Sequence, residues 1–323
     1  MYFMKTHMIL GGLGQDGILL SDQLIREGEK VVAYVKKETY KYSKFKNNKV
    51  TYIFDDIFDK SLFSQNLSRF RPDYIYNFVS LSSVSESYAN PLISRQLNYV
   101  FVEDLFRLSL QYQESSKKNV SVFQASSSEM FGTFSNGKIN ESTPLNPLSP
   151  YAEHKALAHE LAKKYQSKDH FKVFTGVLFN HESYLRKPKF VSRKITKSAY
   201  QISIAQLDFL YLGNIDSSRD WGYAPNYVEA IKELVKTDKP GDYVIATGEL
   251  HTIREICEVV FQELNLGDYE KFVITDEKLK RENDTVGLVG DFSKLMKLIG
   301  WKPEKKFEEI FKEMARLEES NLN

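Results

Sequence analysis

The stretch SPYAEHK, residues 149–155, sets a tyrosine and a lysine four positions apart. Ser149 suits a helix N-cap and Pro150 a first helical position, so Tyr151 and Lys155 are predicted on one face of a helix that starts there. A tyrosine with an unperturbed pKa of about 10 is a poor base at neutral pH. An ammonium beside it favours the phenolate and makes the pair competent for proton transfer with a hydroxyl. The same spacing occurs by chance in many helices, so it needs support from elsewhere. The stretch QASSSEMFG, residues 124–132, supplies some. A buried strand pattern (Val120, Val122, Phe123) runs there into a row of serines and then Glu129. A carboxylate where a core strand gives out is costly to desolvate unless it is paired or put to use. The bland alternative is a carboxylate held by nearby backbone amides.

The elements that must position these groups follow a clear rhythm. Strands are expected at Met8 to Leu10, Val31 to Val35, Val50 to Phe54, Tyr74 to Phe78, Val120 to Ala125 and Val173 to Phe179. Helical stretches such as Ile18 to Glu27 and Leu92 to Tyr112 lie between them. Strands alternating with helices argue for a parallel sheet covered on both faces. ILGGLGQDG places Gly11, Gly14 and Gly17 directly after the first strand and at the mouth of a helix, where backbone amides receive a pyrophosphate. The spacing is G-x-x-G-x-x-G rather than G-x-G-x-x-G, so the argument rests on position more than on the pattern. The fold class read from this is α/β: a Rossmann-type doubly wound parallel sheet with a smaller mixed α/β substrate-binding domain. Past residue 180 the pattern is less regular, and a further strand is expected in DYVIATG, residues 242–248. Residues 1–180 and 214–247 are assigned to dinucleotide binding, and 181–213 and 248–323 to the substrate part.

With a glycine loop in place, Lys155 can also reach a nicotinamide ribose. The second strand ends in Lys36 and Lys37, cations suited to a 2′-phosphate, which favours NADP, while Glu38 keeps NAD open. The segment KKETYKYSKFKNNK carries six lysines among aromatics. It reads as a solvated loop with one or two phosphate-contacting lysines rather than a nucleic-acid patch. In a chain of 323 residues, 44 Lys plus Arg against 43 Asp plus Glu leave a formal charge of +1, which recommends neither nucleic acid nor an anionic membrane as partner. No stretch approaches the roughly 20 apolar residues of a membrane span. The single cysteine, Cys257, sits on an apolar run as a core residue and excludes an intrachain disulfide. No signal peptide is read at the N-terminus. A cytoplasmic chain without a metal site is expected.

The combination resembles the extended short-chain dehydrogenase/reductase superfamily. SSSEMFG, PLNPLSPYAEHK, GVLFNHES, FVSRKIT, LGNIDSSRDWGYAPNYVEA, DYVIATGE and GDFSKLMKLIGWKP are similar, in the same order, to segments of GDP-mannose 4,6-dehydratases. The resemblance runs from Ile9 to about Pro303. It implies oxidation of a GDP-sugar at C4, loss of water across C5 and C6, and hydride return to C6. It also implies Tyr151 as base at the C4 hydroxyl, Lys155 tuning it, Ser127 bonding O4, and Glu129 taking the C5 proton. Such an elimination needs a second base apart from Tyr151, whereas a reductase does not.

Further implied positions are Gln15, Asp16, Asp56, Ile57 and Ser80 with the glycines around the cofactor, and Ser82, Asn180, Lys194, Arg219 and Arg281 around the substrate. Arg193 is as well read as a plain charge, and Trp221 as a packing residue or a pocket wall. Three departures stand out: a short loop after the second strand, SSV with Ser82 and Ser83 in place of a glutamine-serine-histidine run, and RENDT at 281–285. The first bears on assembly as a homo-oligomer, dimer or tetramer. The second resembles the GDP-N-acetylglucosamine 4,6-dehydratases of legionaminic acid synthesis, where smaller residues could admit a 2-acetamido group. Competing readings are GDP-mannose as substrate, a reductase or epimerase of a GDP-4-keto sugar, and a non-catalytic nucleotide-binding protein.

Overall fold

The structure, a computed structural model, describes residues 4–134, 137–168, 170–279 and 287–321. Seven strands form one sheet: β1 (Thr6–Leu10), β2 (Lys30–Tyr34), β3 (Thr51–Ile53), β4 (Tyr74–Asn77), β5 (Ser121–Ser127), β6 (Lys172–Leu178) and β7 (Gly241–Ile245). Their order is β7-β6-β5-β4-β1-β2-β3, and every neighbouring pair is parallel. The order reverses between β1 and β4, which opens a crevice at the carboxyl ends of those strands. The expected strands are thus all present, with no bound shifted by more than three residues, and DYVIATG supplies the edge strand β7.

Helices cover both faces because the strands alternate apolar residues to both sides. Ile9, Val31 and Ala33 pack with α1 (Gln15–Arg26) and residues of Ala224–Leu234 on one face. Met8, Leu10, Val32 and Tyr34 pack on the other with Lys60–Phe70, α2 (Phe101–Ser116) and α3 (Pro150–Gln166). A separate core gathers α4 (Val191–Ser203), Trp221 ahead of α5 (Ala224–Leu234), α6 (Ile253–Glu263) and α7 (Phe307–Asn321). The small strand pairs there join Asn180–Glu182 to Trp221–Tyr223, Leu210–Leu212 to Val273–Thr275, and Ser218–Arg219 to His251–Thr252. Cys257 lies in this second core, and burial pushes its thiol up to about 12.

Two local expectations are corrected. The helical stretch from Leu92 to Tyr112 is interrupted: Pro91–Arg95 and α2 are joined by a π-helical turn, Gln96–Val100. The extra residue in that turn leaves Asn98 buried, and Asn98 reaches back to the segment after β4. The lysine-rich stretch after β2 is exposed, as expected, but Lys37–Tyr42 is a short helix rather than a loop.

Among the described residues no helix is long and apolar enough to cross a membrane, and no group of three or more His, Cys, Asp or Glu side chains could hold a metal ion.

Candidate active site

Ser149 caps α3 by accepting from the amide of Ala152 at 3.1 Å, and Pro150 opens the helix. Tyr151 and Lys155 therefore fall on one face, turned into the protein, with 7% and 3% of their surface exposed. The remaining free amide of that first turn, Tyr151 N, donates to Ser87 Oγ at 3.1 Å, so a second helix, Val84–Ala89, fixes where the tyrosine begins. Lys155 Nζ donates to the carbonyl of Ala125 at 2.9 Å. Ser127 ends β5, and its hydroxyl accepts from the amide of Glu129 at 3.3 Å. The hydroxyls of Ser127 and Ser80 both stand beside the Tyr151 phenol.

The Glu129 carboxylate is half-buried, and among the described residues it enters no hydrogen bond or ion pair. It acts instead through its charge on the Tyr151 phenol. The backbone-amide alternative for Glu129 is not what the structure contains: the amide of residue 129 is bonded, and the acid is not.

Burial dominates the electrostatics of the pair. Burial pushes the Tyr151 phenol up to about 12 and Glu129 adds to it, while Ser127, Arg186 and Ser80 pull against this. Lys155 donates to Ala125 O and stands 5.9 Å from the ring centroid, and burial outweighs what its charge does for the phenolate. Burial in turn brings the Lys155 ammonium down to about 8, with Asp16 opposing. Ser80 donates to Asn98 Oδ1 at 2.8 Å, which fixes its hydroxyl beside the phenol. The protein alone thus holds Tyr151 protonated.

The glycine loop fits a dinucleotide on its own geometry. Gly11 has φ +89°, which favours glycine, and its carbonyl accepts from Gly14 N at 2.9 Å. A Cβ on Gly17 would sit 2.4 Å from that same carbonyl oxygen. Gly14 caps α1 without a side chain, so the first amides of the helix face the crevice between β1 and β4.

Beside the loop, Gln15 and Asp16 are drawn to the segment after β6. Gln15 Nε2 donates to His181 O at 3.1 Å and Ser183 Oγ donates to Gln15 Oε1 at 2.9 Å. His181 presents Nε2 to Asp16 Oδ1 at 3.1 Å and Nδ1 to Phe179 O at 2.8 Å. Both partners are acceptors, so both ring nitrogens donate and the ring is an imidazolium. Burial alone would disfavour each charge, yet the pair holds Asp16 below and His181 above their ordinary values.

Other expected positions distribute as follows. Lys36 and Lys37 are exposed at the end of β2. Asp56 is exposed and turns its carboxylate to Phe58 N at 3.0 Å, while Ile57 packs against the core beneath. Ser82 is exposed beside the crevice, and Ser83 is committed to capping Val84–Ala89. Asn180 is half-buried in register with Trp221. Lys194 Nζ donates to Tyr211 O at 2.5 Å. Arg219 is half-buried in the strand paired with His251–Thr252, and its Nη1 donates to Ser218 O at 2.8 Å. Arg281 and the RENDT stretch lie outside the described residues.

Arg193 is a scaffold cation: it is buried and paired with Glu318 of α7. Trp221 is a packing residue, edge-on to Phe311 at 6.1 Å with its indole donating to His251 O.

Sequence reasoning missed His181, Arg186, Asn98 and Ser87. The NHES segment pointed to the first, although only Asn180 was singled out of it. Arg186, whose charge acts on both Asp16 and Tyr151, had no local signal.

A parallel sheet reversing at β1 and β4, a glycine-bounded crevice and a buried Ser-Tyr-Lys set define a short-chain dehydrogenase/reductase of the extended kind. Residues 8–314 match the family model described as GDP-mannose 4,6 dehydratase, and the chain belongs to that family of nucleotide-sugar 4,6-dehydratases. It is 34% identical over 340 residues to a GDP-mannose 4,6 dehydratase of Dictyostelium discoideum, covering 96% of this chain and 95% of the relative. GDP-mannose 4,6 dehydratase 2 of Arabidopsis thaliana is 33% identical over 326 residues, covering 96% and 86%. Among solved structures, RMD from Pseudomonas aeruginosa, complexed with NADPH, superposes with a TM-score of 0.81 at 19% identity over 98% of this chain and all of that one, a likeness of fold.

Proposed function

We propose that the chain is a GDP-hexose 4,6-dehydratase that recycles a tightly held NADP, with GDP-N-acetyl-D-glucosamine as its hexose. The observation that carries the reaction type is Glu129: a carboxylate without a bonding partner among the described residues, set against the Tyr151 phenol. A reductase on the same Tyr and Lys has no use for it. When bound, NADP accepts the hydride from C4 and returns it to C6. Tyr151 takes the C4 hydroxyl proton as that carbon is oxidised, and Ser127 hydrogen-bonds O4. Lys155 holds the nicotinamide ribose and supplies positive charge beneath the phenol. The C4 ketone acidifies C5–H; Glu129 takes that proton and delivers it to the departing C6 hydroxyl, so that water leaves. The proton held by Tyr151 then passes to C5, directly or through Glu129, which restores both groups and completes the product.

Gly11, Gly14, Gln15, Asp16, Gly17, Asp56, Ile57 and Ser80 line the cofactor in this reading, with Lys36 and Lys37 receiving a 2′-phosphate. Ser82, Asn180, Lys194, Arg219 and Arg281 serve the GDP-sugar, with 181–213 and 248–323 as the substrate-binding part. The protein works as a homo-oligomer.

The choice of sugar rests on the small hydroxyl of Ser82, exposed beside the crevice, which leaves room for a 2-acetamido group. GDP-mannose is the second reading, favoured by the names of the relatives. Incubation with both, and with UDP-, CDP- and dTDP-hexoses, followed by mass analysis for loss of water, separates them. No 4-keto-6-deoxy product from any GDP-hexose overturns the proposal.

A further inference from the structure

Residues 183–190 leave the end of the Asn180–Glu182 strand, just past β6, and Val84–Ala89 follows β4. Between β4 and β6 lies β5, which ends in Ser127 and leads to Glu129. Across that gap Lys189 Nζ meets both carboxylate oxygens of Glu86, each at 2.7 Å. At the other end of the same loop Tyr184 packs edge-on against Phe45, at 6.0 Å between centroids, in the segment that follows β2. The loop therefore runs along the carboxyl edge of the sheet and is fastened at both ends. In between, Arg186 lies over the Phe190 ring at 3.9 Å and faces Asp16 and Tyr151 with its charge.

Glu86 is the acid among three lysines. Lys187 is held below its ordinary range, first by burial and then by Lys189 and Lys36, with Glu86 opposing. Removing the acid leaves like charges that push the loop outward. Both members of the pair are well exposed, so its contribution to global stability is small. Its leverage is on one local equilibrium, the loop closed over the crevice against the loop lifted.

We propose that Glu86 and Lys189 latch residues 183–190 over the dinucleotide crevice, so that the cofactor leaves only when this ion pair opens. The inference rests on the dehydratase reading in one respect: a hydride that is borrowed and returned makes cofactor exchange unnecessary in each cycle, so a closed loop costs no turnover. Glu86 and Lys189 touch neither the sugar nor the reacting atoms and are positioning residues.

The test loads the full chain with NADPH, chases it with excess NADP, and follows the fluorescence of the departing NADPH. Glu86→Lys and Lys189→Glu each release it about five-fold faster or more, and the neutral Lys189→Gln falls between them and the parent. The double reversal returns release to within about two-fold of the parent, because the attraction is restored with its sign exchanged. Added salt speeds release from the parent and not from the single reversals. Unchanged thermal midpoints show that the variants are folded. Release at the parental rate from all single variants, or a double reversal as fast as the singles, overturns the latch. A parent that converts no GDP-hexose, while its release still follows the charge cycle, removes the dehydratase reading and retains the latch.

Discussion

Lys155 Nζ lies 2.9 Å from the carbonyl oxygen of Ala125, so the helix that carries Tyr151 is hydrogen-bonded to the strand that carries Ser127 and leads to Glu129. One buried ammonium thus sets the spacing between the phenolic and the carboxylic group. It also supplies the positive charge under the site, at an energetic cost that the fold bears.

That cost is measurable. In the folded chain Lys155 titrates near 8, against 10.5 for an ordinary lysine. Between those values the unfolded chain binds a proton that the folded chain does not, so stability rises with pH through that window. Below 8 both states are protonated and the burial cost is felt in full. Lys155→Met should raise the unfolding free energy at pH 7 by on the order of 2 kcal/mol, and with it the thermal midpoint, and the gain should shrink by pH 10. Activity should fall about a hundredfold or more. Thermal unfolding at the two pH values reads the first effect; a variant less stable than the parent at pH 7 contradicts it.

Glu129→Gln keeps the shape of the side chain and removes its basicity. Product formation should drop by about 10²- to 10⁴-fold, while NADPH affinity stays at the parental value. Steady-state assays with parallel fluorescence titrations check both; undiminished turnover would remove Glu129 from the mechanism.

Gly17→Ala tests the loop. The added methyl group would stand 2.4 Å from Gly11 O and 2.8 Å from Gly12 Cα, both backbone atoms that cannot swing aside. Overpacking of this kind costs about 1–3 kcal/mol, so dinucleotide affinity should weaken about tenfold or more. A dissociation constant equal to that of the parent would show that the loop does not cradle the cofactor.

Asp220→Ala tests the joint between the two cores. The buried carboxylate of Asp220 accepts from Thr247 N at 2.8 Å, Thr247 Oγ1 at 2.6 Å, Gly248 N at 2.8 Å and Gly290 N at 3.2 Å. Removing it leaves three amides without their acceptor, and the loss should be about 3–5 kcal/mol. Urea unfolding gives the number, and a loss under about 1 kcal/mol would mean that water replaces the carboxylate.

Much of this was legible along the chain. The strands could be read because apolar runs in β1 and β2 feed both faces of the sheet, as Met8 and Ile9 do in packing to opposite sides. Ser149 and Pro150 announced the start of α3, and the four-residue spacing then put Tyr151 and Lys155 on one face. The π-helical turn at Asn98 was not legible, since Leu92 to Tyr112 carries no break in its apolar spacing that asks for an extra residue.

The sequence by itself determined what depends on near neighbours: caps, periodicities, the glycine loop and the residue types available for proton transfer. Only the tertiary structure decided the rest. Glu86 and Lys189 are 103 positions apart, Arg193 and Glu318 are 125, and His181 and Asp16 are 165. No local pattern marks such partners, because each is selected by the packing of a different element. Protonation followed the same division. The sequence offered a lysine to make Tyr151 acidic, but burial, a property of the assembled molecule, drove the phenol the other way.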